Sequence, residues 1–197
     1  MSDGIKRTVL GVGYNSGGKH TAYIVKTPTK EYTTWKNMLR RCYCEKTHKL
    51  QPSYADCVVS SEWHDFQVFA EWLSNHEYNG LGYHLDKDLL IRGNKVYGAD
   101  TCCLVPQEVN KLLYDHSRKI RKYPKGVYLH KFSGRYHARV VIENRHESLG
   151  YFDCPSKAHD AYVEAKEFHV KRKAAEWKDR IEPSVFDALM EWSVSHE

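Results

Sequence analysis

Residues 126–142 read Gly-Val-Tyr-Leu-His-Lys-Phe-Ser-Gly-Arg-Tyr-His-Ala-Arg-Val-Val-Ile, and their alternation sets the fold of the C-terminal half. Successive side chains of a strand point to opposite faces. Tyr136, Ala138, Val140 and Ile142 therefore share one side of a strand, and Arg135, His137, Arg139 and Val141 share the other. Upstream, Val127 and Leu129 alternate with Tyr128 and His130, and Ser133-Gly134 supplies a hairpin turn. Asn144-Arg145 is expected to make a second turn before a third strand that contains Leu149-Gly150-Tyr151-Phe152. A helix follows, with Ser156 as its expected N-cap and Ala158, Ala161, Tyr162 and Ala165 at helical spacing. Three strands and a helix in this order make a small sheet whose inner side the helix covers. The outer side is basic and aromatic, which suits a nucleic-acid duplex better than a small substrate.

Charge is distributed to match. The chain of 197 residues has a net charge of +5. Residues 118–180 hold 16 Lys and Arg against 8 Asp and Glu, whereas residues 1–117 hold 14 against 13 and residues 181–197 hold four acids with no Lys or Arg. A basic module between a near-neutral one and an acidic tail points to a polyanionic partner. With 41% hydrophobic and 13% aromatic residues the chain can build real cores, and it is globular rather than disordered. Met1-Ser-Asp-Gly-Ile-Lys-Arg has no apolar signal core, and no window approaches the ~20 apolar residues of a membrane span. A cytoplasmic location with reduced cysteines is expected, and no membrane partner.

The segment from Gly126 resembles the apetala-two type DNA-binding domain, through Gly126-Val127, Gly134-Arg135-Tyr136, Ala138, Leu149-Gly150-Tyr151-Phe152, and Ala158 through Ala161-Tyr162 to Ala165. The resemblance implies a three-stranded sheet in the major groove of double-stranded DNA. By position it carries contacts to Tyr128, His130, Arg139 and His146; Lys131, Arg135 and His137 complete the candidate DNA-binding set. Plant members of the family place arginines where this chain has Tyr128 and His130, so base preference does not transfer.

The N-terminal module reads differently. Residues 11–25 look like a hairpin that turns at Asn15-Ser-Gly-Gly-Lys. A helix is expected from about Thr33, burying Trp35, Met38, Leu39 and Cys42, and another from about Ser61, burying Trp63, Phe66, Phe69, Ala70 and Leu73, with a long irregular loop between them. Strands are expected at Tyr83–Ile91 and Thr101–Val105, then a helix at Pro106–Asp115 opened by its proline. Residues Leu85-Asp86-Lys87-Asp88, Asp100-Thr101-Cys102 and Val109-Asn110 resemble the strand, turn and helix of the HNH, or His-Me finger, nucleases. Trp35 to Tyr43, Glu62-Trp63-His-Asp-Phe66 and Val96-Tyr97 bring the likeness nearer to phage HNH-like homing endonucleases, which often carry the DNA-binding module described above.

That resemblance implies one divalent ion, usually magnesium, with Asp86 and Asn110 as ligands and Asp88 as a further candidate. It also implies a general base at the position of Lys87. A lysine with an ordinary pKa of about 10.4 is protonated at neutral pH and cannot accept a proton unless strongly desolvated, though it can still stabilise a phosphate. His84 shares a strand face with Asp86 and Asp88 by period two and offers an imidazole base instead. Cys42, Cys44, Cys57 and Cys102 invite a structural zinc, but Cys-x-Cys is tighter than a zinc knuckle and lacks a second pair, so buried free thiols are expected.

The expected architecture is α+β: a divergent ββα-metal domain (1–116), a basic linker (117–125), the sheet-and-helix DNA-binding domain (126–180) and a C-terminal helix (181–197). The apolar stripe of that last helix, with Val185, Phe186, Leu189, Met190 and Trp192, either docks on the body or mediates a homodimer. The functions that follow are site-specific DNA cleavage, or DNA binding by a protein whose finger no longer cuts and which acts as a regulator or inhibitor of a host system. If phage-encoded, the chain would act in the host bacterial cytoplasm.

Overall fold

The computed structural model describes residues 7–80, 82–113, 122–143 and 145–194. The chain is mixed α+β and divides into two compact units, Met1–Val105 and Pro106–Glu197. Among the described residues no helix is long and apolar enough to cross a membrane.

The first unit is built on two packed helices. Helix α1 (Lys30–Tyr43) starts three residues before the expected Thr33 because Thr29 caps it: the Tyr32 amide donates to Thr29 Oγ1 at 3.2 Å. Its buried residues, Trp35, Met38, Leu39 and Cys42, follow helical spacing. The second apolar run, expected as a helix from Ser61, divides into a 3-10 turn over Ser61–His64 and an α-helix, Phe66–Asn75, because Asp65 acts as N-cap to the latter. Phe66, Phe69, Ala70 and Leu73 face the core, and Trp35 Nε1 donates to the Trp63 carbonyl at 2.8 Å, which satisfies the indole inside it.

The expected hairpin over 11–25 is not what forms. Val9 and Gly13 make an isolated bridge, and a hairpin closes further on between β1 (Tyr23–Ile24) and β2 (Thr27–Pro28). The reason lies in hydrogen-bond partners. The Tyr14 amide donates to the His64 carbonyl at 2.9 Å and the Ser16 amide to Asp65 Oδ1 at 3.1 Å, so this segment is stitched to the start of the Phe66 helix rather than to a strand. The segment between the two long helices is likewise structured: α2 (Glu45–Leu50), a 3-10 turn at Pro52–Tyr54, and β3 (Val58–Val59). The Phe66–Asn75 helix is α3. Downstream come β4 (Tyr83–Asp86), shorter than expected, then β5 (Val96–Tyr97), parallel to β3, and β6 (Cys103–Pro106), paired with β4.

In the second unit, α4 (Gln107–Leu113) begins after Pro106, which belongs to the preceding strand rather than to the helix. Residues 117–121 of the basic linker and Asn144 of the second turn lie outside the described residues. Strands β7 (Val127–Leu129), β8 (Tyr136–Ile142) and β9 (Arg145–Phe152) form an antiparallel sheet in that order. Helix α5 (Pro155–Trp177) covers it as one continuous element. Its N-cap is Cys154 rather than Ser156, because Pro155 occupies the first helical position, where no amide hydrogen is required. Val127, Ala138, Val140, Ile142, Ala158 and Tyr162 form the interior between sheet and helix. Helix α6 (Pro183–Met190) packs on α5, with Val185 and Leu189 fully buried, so the core of its apolar stripe is already covered within one chain.

Candidate nucleic-acid interface

The outer face of β7–β8–β9 is assembled by register. Tyr128 pairs with His137, and His137 with Tyr151, so one row runs across all three strands. Beyond it the next outward row is Arg139 with Ser148, and the next Val141 with His146. A β-bulge between Ala138 and Arg139 sets this arrangement. Without it Leu149 would oppose Arg139; with it Ser148 takes that place and Leu149 joins the apolar interior.

These side chains are held by one another. The Arg139 guanidinium lies 4.0 Å from the centre of the Tyr128 ring, a cation–π pair. Arg139 Nε is buried and has no hydrogen-bond partner among the described residues. His137 stacks on Tyr151 at 4.5 Å with 12° between the planes, and its Nε2 meets Ser148 Oγ at 2.8 Å. Burial first, then the charges of Arg139 and His130, lower the His137 pKa, so this imidazole is neutral at pH 7 and its role is in packing and hydrogen bonding. Arg135 is anchored: Nε donates to Asp153 Oδ1 at 3.0 Å and Nη2 to the Tyr151 carbonyl at 2.8 Å, which fixes the end of β9 beside the start of β8. Lys131 is exposed in the β7–β8 turn, and His130 Nδ1 is 2.8 Å from Ser133 Oγ.

The ring orientation bears on which partner fits. Two rings on adjacent strands, parallel and 4.5 Å apart, must stand off the sheet, since lying flat at that spacing they would overlap. They present edges and polar tips rather than flat faces. Unpaired bases stack on ring faces. A duplex groove is read by edges, hydroxyls and guanidinium groups.

Sequence reading selects Tyr128, His130, Lys131, Arg135, His137, Arg139 and His146, and the fold brings all seven to the outer face or its turn. It leaves out Tyr151, Ser148, Val141 and Phe132 as surface groups. Ser148 faces outward because of the bulge, which breaks the period-two pattern counted back from Tyr151; Gly150, at φ +113° beside it, is the mark it leaves in the sequence. Val141 is visible in the alternation, but an exposed valine carries no chemical flag.

The residues of the finger resemblance are placed as follows. His84 is exposed on β4, and Asp86 is buried at its end. Asp86 Oδ1 accepts from the amides of Asp88 and Leu89, both at 2.8 Å, which makes it the cap of the following turn. Asp88 therefore lies past the strand rather than along it. Lys87 is 4% exposed; its ammonium lies 2.5 Å from Asp88 Oδ1 and donates to the Asn94 carbonyl at 2.8 Å. Asn94 closes the loop, with Nδ2 donating to the carbonyls of Lys87 and Val96. Burial acts to lower the Lys87 pKa, but the hydrogen bond and charge of Asp88 outweigh it, and the net shift is upward. Lys87 therefore stays protonated, the opposite of a general base. Asn110 belongs to α4 in the second unit, where its Oδ1 is buried without a hydrogen-bond partner among the described residues.

A magnesium ion needs oxygen ligands with lone pairs directed at it. At this loop Asp86 Oδ1 accepts from two amides and Asp88 Oδ1 faces the Lys87 ammonium, so a divalent ion would be met by the second oxygen of each carboxylate. Among the described residues no group of three or more His, Cys, Asp or Glu side chains is gathered to hold a metal. Cys42 and Cys102 lie in the core of the first unit, and burial pushes both thiols up to about 12, so without a metal both are protonated.

Compared with protein-family models, curated proteins and solved structures, the chain matches none.

Proposed function

We propose that this protein binds double-stranded DNA through the outer face of β7–β8–β9, with the sheet set in the major groove. The observation that carries the reading is the fixed outward row of Tyr128, His137 and Tyr151 beside the Tyr128-supported Arg139. Three strands span about 10 Å, which the ~12 Å major groove accommodates. Arg139 and Lys131 supply charge for phosphates, and Tyr128, His130, His146 and Tyr151 supply polar edges for bases. Charge concentrated in residues 118–180 supports the same partner.

The test is fluorescence anisotropy on a labelled 30-base-pair duplex pool at stepped salt concentration. Arg139→Ala is expected to weaken binding and to reduce the slope of log affinity against log salt by about one. Unchanged affinity and slope would remove Arg139 from the contact, and no binding by the wild type at low salt would end the DNA reading.

Two forms of this function differ in whether the bound strand is cut. The loop at Asp86–Asn94 favours binding without cleavage, because Lys87, at the position of the base, is a buried cation held by Asp88 and the Asn94 carbonyl. Supercoiled plasmid incubated with protein and magnesium is therefore expected to be retarded but not nicked. Nicking that disappears in both Asp86→Ala and His84→Ala would establish the endonuclease form instead, with His84 as its base.

A further inference from the structure

Phe132 is 97% exposed at the tip of the β7–β8 hairpin, in contrast to the upright rings of Tyr128, His137 and Tyr151, which are covered on one face by a neighbour. Among the described residues it has a ring neighbour in His130, at 6.0 Å and tilted by 56°, and the ring is otherwise open to water. The turn that carries it is tightly tied. The Gly134 amide donates to the His130 carbonyl and the His130 amide to the Arg135 carbonyl, both at 2.9 Å, and the Ser133 hydroxyl meets His130 Nδ1 at 2.8 Å. Gly134 has φ +70°, the left-handed conformation that lets the turn close on itself. An apolar ring is thus held out in water on a fixed support, between Lys131 and Arg135 and at the end of the face argued above to meet DNA.

We propose that Phe132 is a wedge that enters the stack of base pairs at one step of the bound duplex and bends it. The inference rests on the DNA-binding reading. Apolar side chains that insert between base steps partly unstack them and kink the helix, and the cost depends on the step, so that pyrimidine–purine steps are favoured. The local charge fits this role, because Lys131 precedes Phe132 in the same exposed turn and can hold the phosphates of the opened step. Insertion also removes from water a ring that folding leaves exposed. Phe132 would then choose sequence through deformability, at a step where the sheet makes no hydrogen bond to a base.

The experiment uses the full chain and duplexes that it recovers from a randomised library. Each adenine of the recovered site is replaced in turn by 2-aminopurine, which brightens when unstacked, and the end-to-end distance of the duplex is followed by energy transfer. The wild type is expected to give a several-fold rise in fluorescence at one step together with a shortened end-to-end distance. Phe132→Ala should abolish both at saturating protein, Phe132→Leu should retain part of each, and Arg139→Ala should weaken binding while leaving both signals in the bound state. Duplex binding by the wild type with no fluorescence rise at any position, or a rise that survives Phe132→Ala, overturns the wedge and leaves the DNA reading standing. Failure of the wild type to bind any duplex, or tighter binding to the corresponding single strands, overturns both.

Discussion

Replacing Lys87 by methionine separates a structural lysine from a catalytic one. The substitution keeps the buried apolar stem and removes the ammonium, leaving the Asn94 carbonyl and the Asp88 carboxylate without their partner. Breaking a fully buried ion pair costs about 3–5 kcal/mol. Asp88, however, is 37% exposed, and water can take over part of its charge, so the expected loss is lower, about 2 kcal/mol. In urea, with a slope of roughly 1.5 kcal/mol/M, the midpoint of the first unit should fall by about 1.3 M. Tryptophan fluorescence reports it, since Trp35 and Trp63 lie in that core. The pH dependence supplies the sharper half of the test. A lysine whose pKa is raised on folding contributes its full stabilisation below the unfolded value of about 10.4, and the contribution fades as pH climbs through the higher folded value. The gap between wild type and Lys87→Met should therefore stay constant from about pH 6 to pH 9 and close only in strong alkali. A gap that closes between about pH 7 and pH 9 would mean a lowered pKa, the state a general base requires, and would refute the structural role. Equal stability of the two proteins at pH 7 would refute it as well.

Two further predictions concern the cores. Gly126 has φ +79°, and a Cβ there would overlap Tyr162 Cγ and Cδ2. Gly126→Ala combines backbone strain of ~1 kcal/mol with overpacking of ~1–3 kcal/mol, and should lower the calorimetric transition of the second unit by on the order of 10–20 °C; a shift under about 3 °C would show that β7 and α5 are not in this contact. Among the cysteines, Cys44 and Cys154 have lowered pKa values, through hydrogen bonds to Thr47 and Ser156 respectively, whereas Cys42, Cys57, Cys102 and Cys103 are buried. Titration of the native protein with a thiol reagent at pH 8 should thus show a fast phase lost in the Cys44→Ala, Cys154→Ala double variant, with the buried thiols reacting only after denaturation; rapid native labelling of Cys42 or Cys102 would contradict their burial.

The C-terminal sheet is legible in the sequence because alternation is a local property. Residues 136–142 name their own inner and outer sides, and Ala158, Tyr162 and their neighbours mark the helix face that covers the inner one. What alternation could not give is the parity change at the bulge, since the extra residue in β9 is set by the pairing of two strands and not by either strand alone. The finger stretch shows the complementary case. Its residue types, acidic groups and a histidine on a strand, are visible, but whether a carboxylate faces an ion or an amide depends on atoms supplied from elsewhere in the loop. Asn94, seven residues from Lys87, closes that loop around the ammonium. The displaced N-terminal hairpin follows the same logic, because the amides of Tyr14 and Ser16 find partners about 50 residues away, at His64 and Asp65.

By itself the sequence determined the α+β composition, the two apolar helix faces of the first unit, the strand alternation of the second and the basic charge placed beside it, all of which follow from periodicity and count. Only the tertiary structure decided which side chains share the outer face, that Arg139 rests on Tyr128, that Phe132 stands free at the hairpin tip, and that Lys87 is a buried cation paired with Asp88. Those depend on long-range register and on competition among polar groups for partners, and neither is encoded in any one segment.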